Sequence, residues 1–299
     1  MTLAPICLFV YNRLKVTQET VKALQKNYLA SESDLIIFSD GPKNEAAKKK
    51  VTAVRQYIQS VQGFKSVTIV EAPQNKGLGT SIIEGVSQTV KTYGRVIVLE
   101  DDLYTTPNFL DYMNQALDFY QDHNRIISIC GYGLEIKRPK DYSSDFYLYG
   151  RSSSWGWATW QHQWKTVDWE VKDWEAFKAD KKAVKAFNYN GSDMFRMLKS
   201  VVEGGGNTWA IRFCYSQFKQ KKYSLMPFES FVENEGFNVE GTNTKYTFSR
   251  FKTQMSEGEQ RQFKFEKNIK VNTQIEQACY KYHSIPIRIY SRIRYTLGI

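Results

Sequence analysis

The sequence is poor in the residues that build zinc sites and disulfide frameworks. Its four cysteines are widely spaced without a C-x-x-C pair, and its three histidines are scattered. Closely paired cysteines with nearby histidines are typical of zinc sites, and dense cysteine patterns in short chains are typical of disulfide frameworks. The sequence therefore argues against both, favours a reducing compartment, and assigns no role to His123, His162 or His283.

Long hydrophobic runs, internal repeats and low-complexity segments are also missing. No apolar run approaches the length of about 20 residues that crosses a bilayer, and Met1 is followed by a strand-like segment rather than by a secretory signal. No evident linker divides the chain. We therefore expect one composite domain in the cytoplasm, with peripheral contact at the inner face of the plasma membrane as a further hypothesis.

The charge of the chain is unbalanced, with 41 basic against 31 acidic residues and a net charge of +10. Such an excess suits an anionic partner, which could be a nucleotide diphosphate, a lipid surface or a nucleic acid. The basic residues are dispersed, and no helix-turn-helix, RNP or zinc-finger pattern occurs. We therefore expect no nucleic acid as partner and keep a nucleic-acid-binding protein only as the weaker alternative.

The first half of the chain alternates short apolar runs with segments of helical periodicity. The apolar runs are 5–10, 35–38, 67–70 and 96–99. This alternation predicts the α/β class, with a mostly parallel sheet flanked by helices. Ligands of such sheets bind beyond the carboxyl ends of the strands, so the residues that follow the four runs are candidates for a binding site.

Polar, charged and glycine residues follow each of these runs. In chain order, the candidates are Tyr11 and Arg13, Asp40, Lys76 and Gly77, and Glu100, Asp101 and Asp102. Because they are expected at one edge of the sheet, we predict a nucleotide site there. The turn at 75–79 lacks the G-x-G-x-x-G spacing, and a phosphate cradle at a helix start and an ordinary glycine turn explain it equally well.

Three consecutive carboxylates, Glu100, Asp101 and Asp102, stand where the fourth run ends. Crowded anions beside a buried strand need a cation. Mn²⁺ or Mg²⁺ would supply it, because these ions prefer oxygen ligands and keep positions open for phosphate oxygens. The alternative is a solvated acidic turn, which this composition makes common, and the position after four strands is what favours the metal site.

Aromatic residues crowd the second half of the chain, above all between 146 and 174. We interpret this half as the acceptor side. Trp155, Gly156, Trp157 and Trp209 are candidates for sugar contacts, because aromatic side chains often line ligand pockets and a glycine permits close approach. For Trp155 and Trp157 the alternative is packing in the core.

Several blocks, in this order along the chain, resemble those of nucleotide-sugar glycosyltransferases with the GT-A fold. They are YNR at 11–13, SD at 39–40, VLEDDL at 98–103 with PNFLDY at 107–112, SWGWATW at 154–160 and PFESFVENEG at 227–236. They are similar to blocks of N-acetylglucosaminyltransferase I and of bacterial family-2-like polysaccharide glycosyltransferases. The resemblance implies a Rossmann-like GT-A fold and metal-dependent, inverting transfer from a UDP-sugar to a hydroxyl of a saccharide or lipid-linked acceptor, in surface polysaccharide or glycan synthesis.

The resemblance also implies roles for individual residues. Asp102 would bind the metal directly, Asp101 and Glu100 would reach the ribose or a metal-bound water, and Asp40 with Arg13 would hold the nucleoside. A nucleotidyltransferase acting on a sugar phosphate would share the same core and metal carboxylates. It is the alternative within the enzymes.

An inverting transfer needs a carboxylate base beside the acceptor hydroxyl. The candidates are Glu229, Glu233 and Asp193, with Glu203 and Glu235 as further choices. Two positions depart from the expected family pattern, because Ala210 follows Trp209 where an acidic residue is expected, and Asn243 stands where bacterial relatives are expected to carry a histidine. The identity of the base is therefore open.

Three regions follow from these observations. Residues 1–135 are predicted to form the nucleotide-sugar-binding core, 136–250 the acceptor-binding and catalytic region of the same domain, and 251–299 a basic C-terminal extension. Within 285–299, arginines alternate with isoleucine and tyrosine, a pattern that suits an amphipathic element at an anionic membrane surface. A basic terminal segment packed on its own domain is the alternative.

Overall fold

The computed structural model describes residues 2–234 and 253–297. The strands are β1 Ile6–Val10, β2 Asp34–Ser39, β3 Ser66–Glu71, β4 Arg95–Glu100, β5 Leu103–Thr105, β6 Ile126–Cys130, β7 Phe146–Tyr149, β8 Trp157–Trp160, β9 Tyr223–Pro227 and β10 Val232–Asn234. The helices are α1 Leu14–Gln25, α2 Glu45–Ile58, α3 Leu78–Tyr93, α4 Phe109–Phe119, α5 Gln161–Trp164, α6 Trp174–Ala179, α7 Lys181–Asn188, α8 Met194–Val202, α9 Ala210–Lys219, α10 Thr273–Tyr282 and α11 Ile285–Leu297, with a short 3-10 helix at Ala30–Glu32.

The first four strands form the predicted parallel half of the sheet. They lie in the order β3-β2-β1-β4 and pair in parallel. Strand β1 is apolar along its whole length because both of its faces are covered: Ile6 and Leu8 pack in the cluster that includes residues of α1 and α2, whereas Phe9 packs with residues of α3. The carboxyl ends of these strands therefore emerge together at one edge.

The sheet continues beyond β4 with strands from the second half of the chain. Within the described residues eight strands form one sheet, and its second half runs β4-β8-β6-β9-β7. Strand β8 is antiparallel to β4 and β6, β9 is parallel to β6, and β7 is antiparallel to β9. The predicted α/β fold, a mostly parallel sheet flanked by helices, is confirmed. One sheet also takes strands from both 1–135 and 136–250, whose boundaries stay predictions.

A two-stranded ribbon follows the acidic triplet. Strand β10 pairs antiparallel with β5, so that Asn234 lies opposite Leu103 and Val232 lies opposite Thr105. This pairing brings a segment about 130 positions further along the chain to the turn that contains Asp102. The ribbon therefore adds residues of the second half to the edge where β4 ends.

The part of the C-terminal extension that the structure describes packs on the rest of the molecule. Arg261 pairs with Asp111 on α4 at 3.0 Å, and Phe263 and Phe265 pack around Tyr112. Helices α10 and α11 follow. No helix among the described residues is both long enough and apolar enough to span a membrane.

Candidate active site

The acidic triplet is held at the end of β4 by a cation from the first strand loop. Asp101 and Asp102 are 5% and 9% exposed. One nitrogen of Arg13, Nη2, donates to Asp102 Oδ2 at 2.9 Å and also pairs with Asp101. The hydroxyl of Thr20 on α1 donates to the backbone carbonyl of Asp101 at 2.8 Å, which fixes the turn. The structure thus brings together Arg13 and the triplet, which lie nearly 90 positions apart in the sequence.

Negative charge exceeds positive charge at this point. Burial raises the pKa of Glu100 well above its usual range, and the nearby charges of Asp102 and Asp101 raise it further, while Arg13 lowers it. For Asp101, burial raises the pKa to about 6 although Arg13 opposes this shift. The Oδ2 atom of Asp101 is buried without a hydrogen-bond partner among the described residues. The guanidinium of Arg13 is thus one positive charge beside three carboxyl groups.

These carboxylates suit a divalent cation that shares its coordination with a ligand. Among the described residues, no three acidic, histidine or cysteine side chains form a complete metal cage. Mg²⁺ is usually held in proteins by one or two carboxylates together with substrate phosphates and water, so a complete cage is not needed. The donor atoms fit such an ion at Asp102 and at the unpartnered oxygen of Asp101. Glu235 and Asn243, also considered from the sequence, lie outside the described residues.

Asp40 fixes the glycine turn that precedes α3. Its two carboxylate oxygens accept hydrogen bonds from the backbone N–H groups of Gly41, Lys76 and Gly77 at 2.8, 2.9 and 3.0 Å, and from the side-chain amide of Asn75 at 2.9 Å. These four bonds occupy the carboxylate almost fully. The geometry therefore gives Asp40 an architectural role at the predicted nucleotide edge.

The other predicted nucleotide contacts lie around this turn. The Nζ atom of Lys76 pairs with Glu84 on α3 at 2.6 Å, on the exposed surface. The hydroxyl of Tyr11 accepts a hydrogen bond from the backbone N–H of Lys43 at 3.2 Å. Gly77 adopts φ +75°, a conformation that favours glycine, and directly precedes α3. Tyr11 and Gly77 thus lie at the sheet edge, whereas the charge of Lys76 is already engaged.

The predicted sugar-binding aromatic residues divide into two groups. Trp157 and Trp209 are 1% and 2% exposed and stack on each other in the core, with ring centroids 4.6 Å apart. The structure assigns these two side chains to core packing instead of a sugar pocket, as a correction, because neither ring can meet a ligand in this arrangement. Gly156 is also buried, at φ +57°, where a Cβ atom would lie only 3.1 Å from the ring of Phe109. Trp155, by contrast, is partly exposed and lines a cavity.

That cavity, of about 190 Å³, lies between the Trp155 loop and helices α8 and α9. The lining includes Arg151, Trp155, Met197 and Ile211. Because β8 runs antiparallel to β4, Trp155, which precedes β8, lies at the same edge of the sheet as the end of β4. The cavity is therefore at the edge where β4 ends, although none of the three acidic residues lines it.

The candidate bases occupy different environments. Glu229 is exposed, and Glu203 is bound by Lys178 at 3.2 Å at the end of α8. Asp193 is ion-paired with Arg151 at 2.8 Å; burial raises its pKa, but Arg151 outweighs burial and lowers the pKa to about 2, which makes Asp193 a weak base. Glu233 lies on β10, next to Asn234, whose amide is 3.4 Å from Asp102 Oδ1.

A comparison with protein families decides the kind of protein. The profile of the family described as "Glycosyl transferase family 2" matches residues 6–177, more than half of the chain. The chain belongs to glycosyltransferase family 2. The match covers the parallel strands, the acidic triplet and the tryptophan-rich block, so the resemblance seen in the sequence is confirmed.

Solved structures that are similar to this family 2 chain share little sequence with it. The mannosyltransferase PcManGT from Pyrobaculum calidifontis, in complex with GDP-Man and Mn2+, is 12% identical with a TM-score of 0.37, and covers 63% of this chain and 51% of its own. S. aureus TarS 1-349 is 10% identical with a TM-score of 0.40, covering 78% of this chain and 61% of its own. The chain thus spans about half the length of the mannosyltransferase. No protein among those of curated function matches it significantly.

Two residues that position the site of this family 2 chain escaped the sequence analysis. Arg55 on α2 donates to Ser39 Oγ at the end of β2 at 3.2 Å and to the carbonyl of Ala72 after β3 at 2.7 Å, which ties the ends of these two strands together. Its sequence signal was its helical spacing from the buried Val51 and Ile58, since a basic residue on a buried face needs partners. Asn207 contacts the glycine turn, donating to the carbonyl of Lys76 at 3.1 Å, and no local pattern indicates that contact.

Proposed function

We propose that this family 2 protein transfers the sugar of a nucleotide sugar, namely a UDP-sugar, to a hydroxyl of a saccharide or lipid-linked acceptor. The observation that carries the proposal is the acidic triplet, where one arginine faces three carboxylates at the end of β4. A diphosphate adds further negative charge at this edge. Only a cation shared between the carboxylates and the phosphates makes such binding favourable.

Mn²⁺ or Mg²⁺ is the cofactor that we propose, with Asp102 as its direct ligand and Asp101 beside it. When bound, the ion would neutralise the charge that develops on the leaving diphosphate. Arg13 holds both aspartates in position through its ion pairs. Glu100 ends β4 directly before the two aspartates, and we propose that its side chain reaches a ribose hydroxyl or a metal-bound water.

The nucleoside is proposed to lie beside the turn that Asp40 organises. Tyr11 and Arg13 follow β1, and Gly77 follows β3, so that they flank Asp40 at the same edge. Asp40 would act by fixing the backbone of the turn, because its oxygens are engaged in four hydrogen bonds. The wall of this subsite is thus preorganised before a nucleotide arrives.

For the base, we propose Glu233 ahead of Glu229. Inverting transfer needs a carboxylate that removes the proton of the acceptor hydroxyl as the hydroxyl attacks in line. Strand β10 pairs with β5 directly after Asp102, which makes Glu233 the candidate base nearest to the triplet along the ribbon. Glu233→Gln should lower kcat with little change in the binding of UDP, and Glu229→Gln should have little effect. The opposite ranking of kcat would reject this choice.

The reaction type is tested by the product that carries the phosphate. The full chain, supplied with Mn²⁺ and a panel of nucleotide sugars and acceptors, should release the nucleoside diphosphate. Release of pyrophosphate from a nucleoside triphosphate in the presence of a sugar phosphate would instead identify a nucleotidyltransferase and reject the proposal.

Asp102→Asn tests the proposed metal ligand. It should reduce turnover by at least roughly a hundredfold, because the ion contributes several kcal/mol to the stabilisation of the leaving group. It should also remove the thermal stabilisation by UDP with Mn²⁺ while the far-UV circular dichroism stays unchanged. Asp122→Asn, an exposed aspartate, is the matched control. Retained stabilisation by Mn²⁺ in Asp102→Asn would show that the ion binds elsewhere.

We also propose that helix α11 binds an anionic membrane surface from the cytoplasmic side. Ile285, Ile289 and Ile293 recur every fourth residue and are more than half exposed, so they form an apolar stripe on one face. Arg292 is exposed beside this stripe, which gives the helix the combination of apolar and basic groups that anionic lipid surfaces attract. Co-sedimentation with vesicles of anionic or neutral lipid measures this binding.

A further inference from the structure

The cavity beside Trp155 has an ionised wall that the proposed transfer reaction does not explain. Arg151 lies in this wall together with the segment 152–154, while Met194, Met197 and Ile211 form an apolar side. At about 190 Å³ the cavity has room for several water molecules, and therefore for a carboxylate or a phosphate group. The cavity is thus mostly apolar, with Arg151 and the serines 152–154 as polar groups on one side.

The guanidinium of Arg151 has hydrogen-bonding capacity to spare. Its Nη1 atom donates to Asp193 Oδ1 at 2.8 Å. Among the described residues, the guanidinium makes no second hydrogen bond with the protein. An arginine carries five N–H donors in a planar fork that matches carboxylate and phosphate oxygens. The side chain is 18% exposed, so the fork is held by the fold and still open to a ligand.

The charge around Asp193 is positive in sum. Arg288 of α11 approaches from the C-terminal segment, where its Nη1 atom donates to Ser192 Oγ at 3.2 Å. Its charge acts on Asp193 together with that of Arg151. Two arginines against one aspartate leave a net charge of +1 (2 − 1), before any contribution from His283, which lines the same cavity. The net positive charge would therefore attract an anionic ligand.

Helix α9 adds to this attraction. Its first residues, Ala210 and Ile211, line the cavity, and its N-cap residue Trp209 makes no capping hydrogen bond with its side chain. The N-terminal end of a helix carries partial positive charge, and no acidic side chain of its first turn opposes it.

We propose that this cavity binds an anionic group of the sugar substrate, a carboxylate or a phosphate, with Arg151 as the ligand of that group. The inference rests on the proposed function, since it names the chemistry of one of its substrates. The anion is carried either by the transferred sugar, as in a uronic acid donor, or by the acceptor, as in a phosphorylated saccharide.

The test measures the binding of three small probes to the full chain: D-glucuronate, glucose 6-phosphate and neutral D-glucose. The two charged probes should bind at least about tenfold more tightly than glucose, because a hydrogen bond to a charged group is the stronger kind. Added salt should reduce this advantage. Equal binding of the three probes by the unaltered chain would overturn the inference.

The variant that tests Arg151 must not leave a buried charge behind. Arg151→Gln alone leaves Asp193 without its partner and is prone to unfold. The double variant Arg151→Gln with Asp193→Asn replaces the ion pair by two amides that can still bond to each other. It should bind the three probes equally, whereas Lys181→Gln, which removes an exposed charge on α7, should keep the preference. A folded double variant that keeps the preference would reject Arg151 as the ligand.

Parallel assays separate the two sources and the two proposals. Turnover with UDP-glucuronate against UDP-glucose tests the donor, and turnover with phosphorylated against unphosphorylated saccharides tests the acceptor; only one pair should show a charge preference that disappears in the double variant. If the proposed function is right, the unaltered chain and the double variant both bind UDP with Mn²⁺. Lost anion preference with intact UDP binding rejects this inference alone, and absent UDP binding rejects the proposed function.

Discussion

Arg13 is the residue on which the geometry of the acidic turn depends. It joins the loop after β1 to Asp101 and Asp102, and its own pKa, which burial would lower, is raised by these two carboxylates. Removing one partner of a largely buried ion pair leaves the other charges uncompensated. We therefore expect Arg13→Gln to be among the most damaging single changes at the site.

The expected loss for Arg13→Gln is on the order of 3 kcal/mol in the free energy of unfolding, measured with urea. Mn²⁺ alone should then stabilise the variant more than the unaltered chain, because it supplies the missing positive charge to the same carboxylates. A thermal shift with Mn²⁺ that is no larger in Arg13→Gln than in the unaltered chain would contradict an ion site at these residues. Arg125→Gln, in a loop before β6, is a control for the loss of one arginine.

Asp193 provides a prediction about pH. Its folded pKa of about 2 lies below its ordinary value of 3.8, so ionised Asp193 stabilises the fold above the ordinary value and this stability is lost as the pH falls towards 2. The free energy of unfolding of the unaltered chain should thus exceed that of Asp193→Asn by a constant amount near neutral pH. This difference should shrink by on the order of 2 kcal/mol between about pH 5 and pH 2. Urea unfolding of both proteins over this range measures it, and a constant difference would refute it.

At the scale of elements, the turn before α3 depends on close packing against Asn207. A Cβ atom on Gly79 would lie 2.3 Å from the backbone oxygen of Asn207, whereas a Cβ atom on Gly94 would meet nothing within 4 Å, although Gly94 has φ +77°. The two glycines therefore serve different purposes at the two ends of one helix. The first permits contact between chain segments, and the second permits the left-handed conformation that ends α3.

Gly79→Ala and Gly94→Ala separate these effects. Gly79→Ala should cost about 1–3 kcal/mol through overpacking and should also weaken the binding of UDP, because it displaces the turn that Asp40 holds. Gly94→Ala should cost about 1 kcal/mol through the backbone conformation and leave UDP binding unchanged. Chemical unfolding and titration with UDP and Mn²⁺ measure both. Equal effects of the two variants on UDP binding would show that the turn is not part of the nucleotide site.

The elements that the sequence predicts are those with a local signal. The strands β1 to β4 follow from uninterrupted apolar runs, and α2 follows from the spacing of Val51, Val54 and Ile58, because burial imposes these periods directly. The place of β8 between β4 and β6 and the pairing of β10 with β5 have no such signal. They depend on contacts between segments that are distant in sequence, which local periodicity does not encode.

At the scale of the whole molecule, the same distinction explains which site residues were foreseen. The carboxylates and Arg13 follow strand ends, and parallel topology alone gathers such residues at one edge. The burial of Trp157 against Trp209 depends on the packing of α9 across the sheet, so the sequence could not choose between core and pocket for those rings. The pairing of Arg151 with Asp193, on which the cavity depends, likewise joins two loops 42 positions apart.

The net charge of +10 and helix α11 together predict how the whole molecule binds to a membrane surface. The chain should co-sediment with vesicles that contain anionic phospholipid, less with neutral vesicles, and less as salt is added, because the attraction of basic residues to the surface is screened. Replacing both Ile289 and Ile293 by Asn should weaken binding by roughly tenfold to a hundredfold, since each buried isoleucine contributes about 1.5–3 kcal/mol and is already half covered. Tyr93→Asn, which alters an exposed apolar residue on α3, should have no effect. Undiminished binding by the double variant, or equal binding to neutral vesicles, would mean that α11 is not the membrane contact.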